Sequence, residues 1–299
     1  MIINTVWIKP VYEIVKLLIY DLSMENSNQL VKCNKLKTST AMFQDYKLKI
    51  EFENCSYDYP YLVEGCANSC IKLIIDSENF PTLQSKKNIQ KELQNVIKVE
   101  LGKFKWIIYN DVNLEFVWYF SCLRKKESDK IGDLDNLIKP IIDAFSGDNG
   151  LFIDDSQIGS INNFWMSRDI SSSQNSILII FVHFNNDDCC LKENMKFVQI
   201  EKQMYAVYNF DVNSINDLYR ILILHHMQRK KRKIQNKLLH TYPNIDMFST
   251  DFNLFHRTRL KDIPNNKVYT WDKFKQLCID AGLNFKELLK REKTRLQKK

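Results

Sequence analysis

The chain is 299 residues long, 44% hydrophobic and 26% charged, enough apolar mass for one large core or two modest ones, which excludes a disordered, collagen-like or mucin-like protein. Only 7 Gly and 6 Pro argue against a β-rich fold made of many tight turns, so helices are expected to be long and well represented. The net charge of +7 is unevenly spread: residues 191–299 hold 23 Lys and Arg against 11 Asp and Glu, net +12, leaving residues 1–190 with 20 against 25, net −5. A mildly acidic body carrying a strongly basic C-terminal part points to a polyanion partner, most often nucleic acid.

At the N-terminus, Val11–Leu22 has the periodicity of an amphipathic helix and leads into a polar connector, giving a helical extension over residues 1–45. Pro10, Glu13 and Lys16 interrupt its apolar run, so no stretch reaches the roughly 18 apolar residues of a membrane span. The segment also lacks a basic n-region and a small-residue cleavage site, and a cytoplasmic location is expected. The 8 Cys form no CxxC pair, and the Cys66–Cys70 spacing has no second half, which favours free thiols in a reducing compartment over a zinc site.

From Lys47 the pattern changes. LKIEFEN at 48–54 alternates like a half-buried strand, and IKLIID at 71–76 is a second short strand. Ile89, Leu93, Val96, Ile97 and Leu101 recur at helical spacing over 83–101. WIIYNDVNLEFVWYFSC at 106–122 reads as one bent strand or as two joined at Asn110 and Asp111. SILIIFVHF at 176–184 reads as an inner strand, and the polar stretch 185–194 as a domain boundary. Beyond it, a helix starting near Ile215 continues through the basic run at 229–233, and 274–290 reads as helix, turn, helix. The expected class is α+β, a mixed sheet with helices over residues 46–190 followed by a basic, mainly helical C-terminal domain over 191–299.

Chemistry concentrates in GDLDNLIKPIIDAFSGDNGLFIDDSQIG at 132–159, which holds six acids, Asp133, Asp135, Asp143, Asp148, Asp154 and Asp155, and a single Lys. On extended chain the Asp133 and Asp135 carboxylates share a face, a spacing that suits a shared divalent cation. Asp135 or Asn136 makes a good N-cap for a helix beginning near Leu137, early enough to place Pro140 in its first turn. Asp135, Lys139 and Asp143 then form one i, i+4, i+8 stripe. FIDDSQIGSI reads as a strand with Asp154 and Asp155 at its start; adjacent strand residues face opposite ways, so one of the two joins the cluster. Three gathered carboxylates repel unless cations neutralise them, and hard oxygen donors without His or Cys select Mg²⁺ or Mn²⁺. With Lys139 beside them to stabilise developing negative charge, and a basic appendage on the same chain, such acids suggest phosphodiester hydrolysis.

The run DLDNLIKPIIDAF, then SG, then DDSQI resembles the signature of the RusA-type endodeoxyribonucleases, the Holliday junction resolvases of bacteria and their phages. The resemblance is specific over 132–158, and the strand, helix, strand order before it and the apolar strand after it agree with that family; residues 1–45 and 191–299 lie outside it. It implies that Asp133, Asp135 and Asp155 are metal ligands, Lys139 is the catalytic lysine, Asp143 is a supporting acid, and Asp154 is the alternative third ligand. It further implies an α+β homodimer that nicks four-way DNA junctions in recombination or repair with Mg²⁺.

In the C-terminal part, Arg229, Lys230, Lys231, Arg232, Lys233 and Lys237 lie on and around one helix and are candidate contacts to DNA phosphates. Adjacent on that helix, His225 and His226 cannot point the same way and flank a core face. Trp106, Trp118 and Trp165 fall in strand patterns and are expected in the core. Two rival readings remain. One is another DxD-type Mg²⁺-dependent phosphotransfer enzyme, which would need a nucleotide-binding element that this Gly-poor chain lacks. The other is a catalytically silent DNA-binding protein, against which stands the joint presence of Asp133, Asp135, Lys139 and Asp155.

Overall fold

The computed structural model describes residues 38–42, 46–63, 68–121, 134–168, 175–241 and 254–283, all within one compact unit, Leu36–Lys299. The N-terminal helix expected over Val11–Leu22 and the last helix expected beyond residue 283 lie outside the described residues, as do Asp133 and the side chain of Asp135.

Period-two alternation builds the main sheet. In β2 (Tyr46–Glu53), Tyr46, Leu48, Ile50 and Phe52 are buried, while Lys47 and Glu53 face water. In β7 (Ser176–Asn185), Leu178, Ile180, Val182 and Phe184 do the same. With β1 (Thr38–Met42), β3 (Asn68–Ser77), β5 (Val112–Ser121) and β6 (Ile158–Arg168), these form a sheet of order β1-β2-β3-β7-β5-β6. Every pairing is antiparallel except β5 with β6. A parallel pair cannot be closed by a hairpin and needs a crossover. Here the crossover carries the acidic motif, so the sheet itself fixes where the motif's two ends lie.

Two helices supply the second layer. In α1 (Lys87–Leu101), Leu93, Val96, Ile97 and Leu101 turn one apolar stripe inward. In α2 (Leu134–Phe145), Leu137, Ile141, Ile142, Ala144 and Phe145 do so. Both stripes share one core with the inward residues of β2, β3, β5 and β7. Trp106 and Trp118 are fully buried there and Trp165 packs against its edge, as their strand patterns suggest. The 106–122 segment is indeed two strands, β4 (Trp106–Ile108) and β5, broken at Asn110 and Asp111.

The C-terminal part contains more than helices. β9 (Met195–Glu201), β10 (Met204–Asn209), β11 (Leu254–His256) and β12 (Val268–Tyr269) form a second sheet of order β11-β10-β9-β12. One face, with Val198, Ile200 and Ala206, packs on α3 (Ile215–Thr241) and α4 (Trp271–Asp280) through Leu218, Leu222, Phe274 and Cys278. The other face, with Met195, Phe197 and Val207, shares a core with Ile107 and Ile153 of the first part and with Phe255, Leu260 and Ile263. Residues 185–194, expected to be a boundary, instead hold β8 (Cys189–Leu191), which pairs antiparallel with β4. The polar residues that suggested a linker are engaged: Asn185 caps the turn at Asn186–Asp188, and Ser69 donates to Asn186.

The 27-residue α3 also explains the paired histidines. His225 is fully buried, stacks on Trp271 and hydrogen-bonds Tyr208 at 3.0 Å. Burial, aided by the neighbouring Arg229 charge, pushes its pKa down to about 3, so it is a neutral core residue. Among the described residues no helix is long and apolar enough to cross a membrane.

Candidate active site

Helix α2 starts earlier than its proline suggests. Leu134, Asp135 and Asn136 are already helical, so neither Asp135 nor Asn136 is the cap, and Pro140 is the helix's seventh residue rather than part of its first turn. An interior proline leaves the carbonyl four residues before it without its helical donor. That carbonyl belongs to Asn136, and it accepts the backbone N–H of Leu83 at 2.9 Å. The Pro140 carbonyl in turn accepts Gln94 Nε2 at 3.0 Å. The loop before α1 and α1 itself therefore hold α2 in place. Because Asp135 is helical, the extended-chain geometry expected for Asp133 and Asp135 does not apply to it; Asp135 instead lies one helical turn before Lys139.

The second half of the motif also differs from expectation. Asp154 and Asp155 do not begin a strand. Asp154 caps a 3₁₀ turn at Asp155–Gln157, accepting from Ser156 N at 3.0 Å, and β6 starts only at Ile158. The alternation argument therefore fails, and both carboxylates reach one guanidinium: Arg259 Nη1 lies 2.9 Å from Asp154 Oδ1 and 2.9 Å from Asp155 Oδ1.

A buried amide fixes this turn. Gln157 Oε1 accepts Ile153 N at 2.7 Å and Asp154 N at 3.0 Å, while Nε2 donates to Ile108 O at 3.1 Å and Asn110 O at 2.7 Å. All four hydrogen-bonding positions of the side chain are filled by backbone, so the turn is tied to the β4–β5 junction. Gly150 tightens the preceding loop, since a Cβ there would lie 2.0 Å from Phe145 O.

Across the crossover, Lys139 of α2 meets this turn. Its Nζ is 2.9 Å from Asp155 Oδ2 and 2.9 Å from Asp143 Oδ1, the latter one helical turn along. The Lys139 hydrogen bond, reinforced by the charges of Lys139 and Arg259, holds the Asp155 carboxyl below the usual carboxylate range. Burial works against the Lys139 ammonium, but its bonds to Asp143 and Asp155 outweigh this and raise its pKa. Lys139 is therefore a fixed cation, able to hold or orient an anion and unsuited to act as a base near neutral pH.

The structure thus brings Lys139, Asp143, Asp154 and Asp155 together and seats Asn136 in the first turn of α2. Arg259, which completes the group, comes from the C-terminal part, and nothing in the local sequence around it marks it out. Gln157 lies within the motif, but its structural role follows only from the backbone groups it meets. Among the described residues no group of three His, Cys, Asp or Glu is placed to hold a metal ion. The donor chemistry nonetheless suits a hard cation. Lys139 and Arg259 neutralise two of the three described carboxylates, and the same short motif adds Asp133 and Asp135, leaving an excess of negative oxygen donors.

Residues 77–176 match the profile of the family described as Endodeoxyribonuclease RusA. Over this stretch the chain is similar to the RusA endodeoxyribonucleases. The match runs from the end of β3 to the start of β7 and so contains α1, the β5–α2–β6 crossover and both halves of the acidic motif. The α+β architecture agrees with it. No curated protein matches the chain.

The basic residues lie on the distal half of α3. Lys230, Lys231, Lys233 and Lys237 are exposed, whereas Arg229 stacks over Trp271 at 4.9 Å and Arg232 lies 3.7 Å from Glu201. Two of the six candidate phosphate contacts thus also hold α3 to its own domain.

Proposed function

We propose that the protein is a divalent-metal-dependent endonuclease that cuts branched DNA, with Asp133, Asp135 and Asp155 as ligands of Mg²⁺ or Mn²⁺, Asp154 at the edge of the site and Lys139 facing the scissile phosphate. The observation that carries this reading is the meeting of Lys139 and Asp155 across the parallel β5–α2–β6 crossover, within the segment matched to RusA. A bound cation would supply activation of the attacking water and stabilisation of the leaving oxygen. The chain's own part is to hold the carboxylates through Gln157 and the Asp154 cap, and to keep Lys139 charged. Lys139, salt-linked to Asp143, would stabilise negative charge on the phosphate during in-line displacement.

Action as a homodimer on four-way junctions, the role in recombination or repair and a cytoplasmic setting belong to the same proposal, supported by the RusA-type segment. The exposed lysines of α3 would add backbone affinity without sequence readout. The division at residue 190 remains useful as a functional one, separating the acidic site from the basic helix, although a shared core joins the two parts.

Labelled four-way junction, fork and duplex DNA incubated with Mg²⁺, alongside Asp135→Asn, test the reading. Symmetric nicks in the junction, absent from the variant, support it. Equal cleavage of every substrate would reduce the protein to a general nuclease, and binding without cleavage would favour a silent DNA-binding protein.

A further inference from the structure

The segment carrying Arg259 is built into the nuclease site. It runs from β11 through the 3₁₀ turn at Arg257–Leu260 to β12, and Phe255, Leu260 and Ile263 bury it against Ile107 and Ile153, the residue just before the acid pair. Polar contacts fix it along the same turn. Lys267 Nζ pairs with Asp148 Oδ1 at 2.5 Å and donates to Lys192 O at 2.9 Å. Arg257 braces its own turn, donating to Leu260 O and Asn265 Oδ1.

The guanidinium of Arg259 is only partly engaged. Both of its bonds to the acid pair leave from Nη1; Nε and Nη2 have no partner among the described residues, and the side chain is 47% exposed. The acid pair does not need Arg259 to hold its shape, because the Asp154 cap and Gln157 already fix the turn. The arginine also sits on the Asp155 carboxylate opposite Lys139, with Nη1 on Oδ1 and Lys139 Nζ on Oδ2. N–H donors without a partner among the described residues, on a half-exposed planar guanidinium beside a second fixed cation, can receive a phosphate oxygen pair.

We propose that Arg259 is a further substrate-binding residue of this site, donated by the C-terminal domain, which receives a DNA backbone phosphate beside the one that Lys139 faces. The basic C-terminal domain then serves the active site itself as well as supplying a remote basic helix. This inference rests on the nuclease reading.

The test is fluorescence-anisotropy binding of a labelled four-way junction in EDTA over a series of salt concentrations, for wild type, Arg259→Gln and Arg259→Lys. Thermal melting of each variant confirms the fold, and junction cleavage in Mg²⁺ by wild type and Asp155→Asn is assayed in parallel. Loss of one phosphate contact in Arg259→Gln should weaken binding roughly tenfold and reduce the slope of log Kobs against log salt by about 0.9. Arg259→Lys should keep the slope and lose only part of the affinity, because it retains the charge without the fork. If wild type cleaves and Asp155→Asn does not, yet folded Arg259→Gln binds with unchanged affinity and slope, this inference is overturned and the nuclease reading stands. An Arg259-dependent slope in a protein that never cleaves would uphold the phosphate contact and remove the nuclease reading. Failure of wild type to bind DNA at all overturns both.

Discussion

Gln157 bonds only backbone groups and touches no candidate ligand's carboxylate, yet replacing it should disable the site. Gln157→Leu keeps much of the volume and removes every hydrogen bond. Two of the four partners thereby abandoned, Ile153 N and Ile108 O, are in fully buried bonds, while Asp154 N and Asn110 O sit where water can reach them. An unsatisfied buried backbone group costs about 1–3 kcal/mol, so two full penalties and two partial ones amount to about 3–5 kcal/mol. That is a large share of a typical domain stability of roughly 5–15 kcal/mol. Urea unfolding followed by far-UV circular dichroism measures the loss. The neighbouring exposed Ser156, changed to Ala, serves as control and should shift stability by no more than about 0.5 kcal/mol. A loss below about 1 kcal/mol in Gln157→Leu would refute the view that this amide ties the acidic turn to the β4–β5 junction.

Three further outcomes follow from the geometry. Gly150→Ala forces a Cβ onto Phe145 O and should cost about 3 kcal/mol in the same unfolding assay, whereas a neutral result would mean that the loop can shift freely. His225 stays neutral in the fold down to about pH 3 but titrates near 6.5 once unfolded, so its contribution is complete above 6.5 and drains away as pH falls from there towards 3; His225→Phe should flatten the stability profile across that window. Asp155, with its folded pKa depressed, contributes stability above the ordinary carboxylate range that is lost as pH drops through the folded value. Lys139→Met should move the Asp155 carboxyl midpoint upward in an NMR titration, and an unmoved midpoint would show that the ion pair is not formed in solution.

Much of this protein was legible in its residues. Alternation in 48–54 locates β2 and helical spacing in 83–101 locates α1, because burial on one face leaves a periodic record, while the continuous apolar run at 176–184 locates β7 as an inner strand. The pairing of Lys139 with Asp143 follows from i, i+4 spacing alone. What failed depended on partners distant in sequence. Pro140 stands inside α2 because Leu83, more than fifty residues earlier, supplies the missing donor to Asn136. Asp154 and Asp155 form a cap and turn because Gln157 finds carbonyls at 108 and 110. Arg259 reaches the acid pair from more than one hundred residues away, and no periodicity records such a contact. The second sheet escaped notice because β11 and β12 contribute only 3 and 2 residues, and β9 and β10, covered on both faces, lack the clean alternation of β2.

In the proposed function, Asp133, Asp135 and Asp155 converge on one divalent cation. Titration of Mn²⁺ followed by water-proton relaxation, on wild type and on Asp133→Asn, Asp135→Asn and Asp155→Asn, addresses it without DNA. Wild type should bind Mn²⁺, and each single variant should lose at least about tenfold in affinity with its fold intact. Mn²⁺ affinity unaltered by all three substitutions would contradict it.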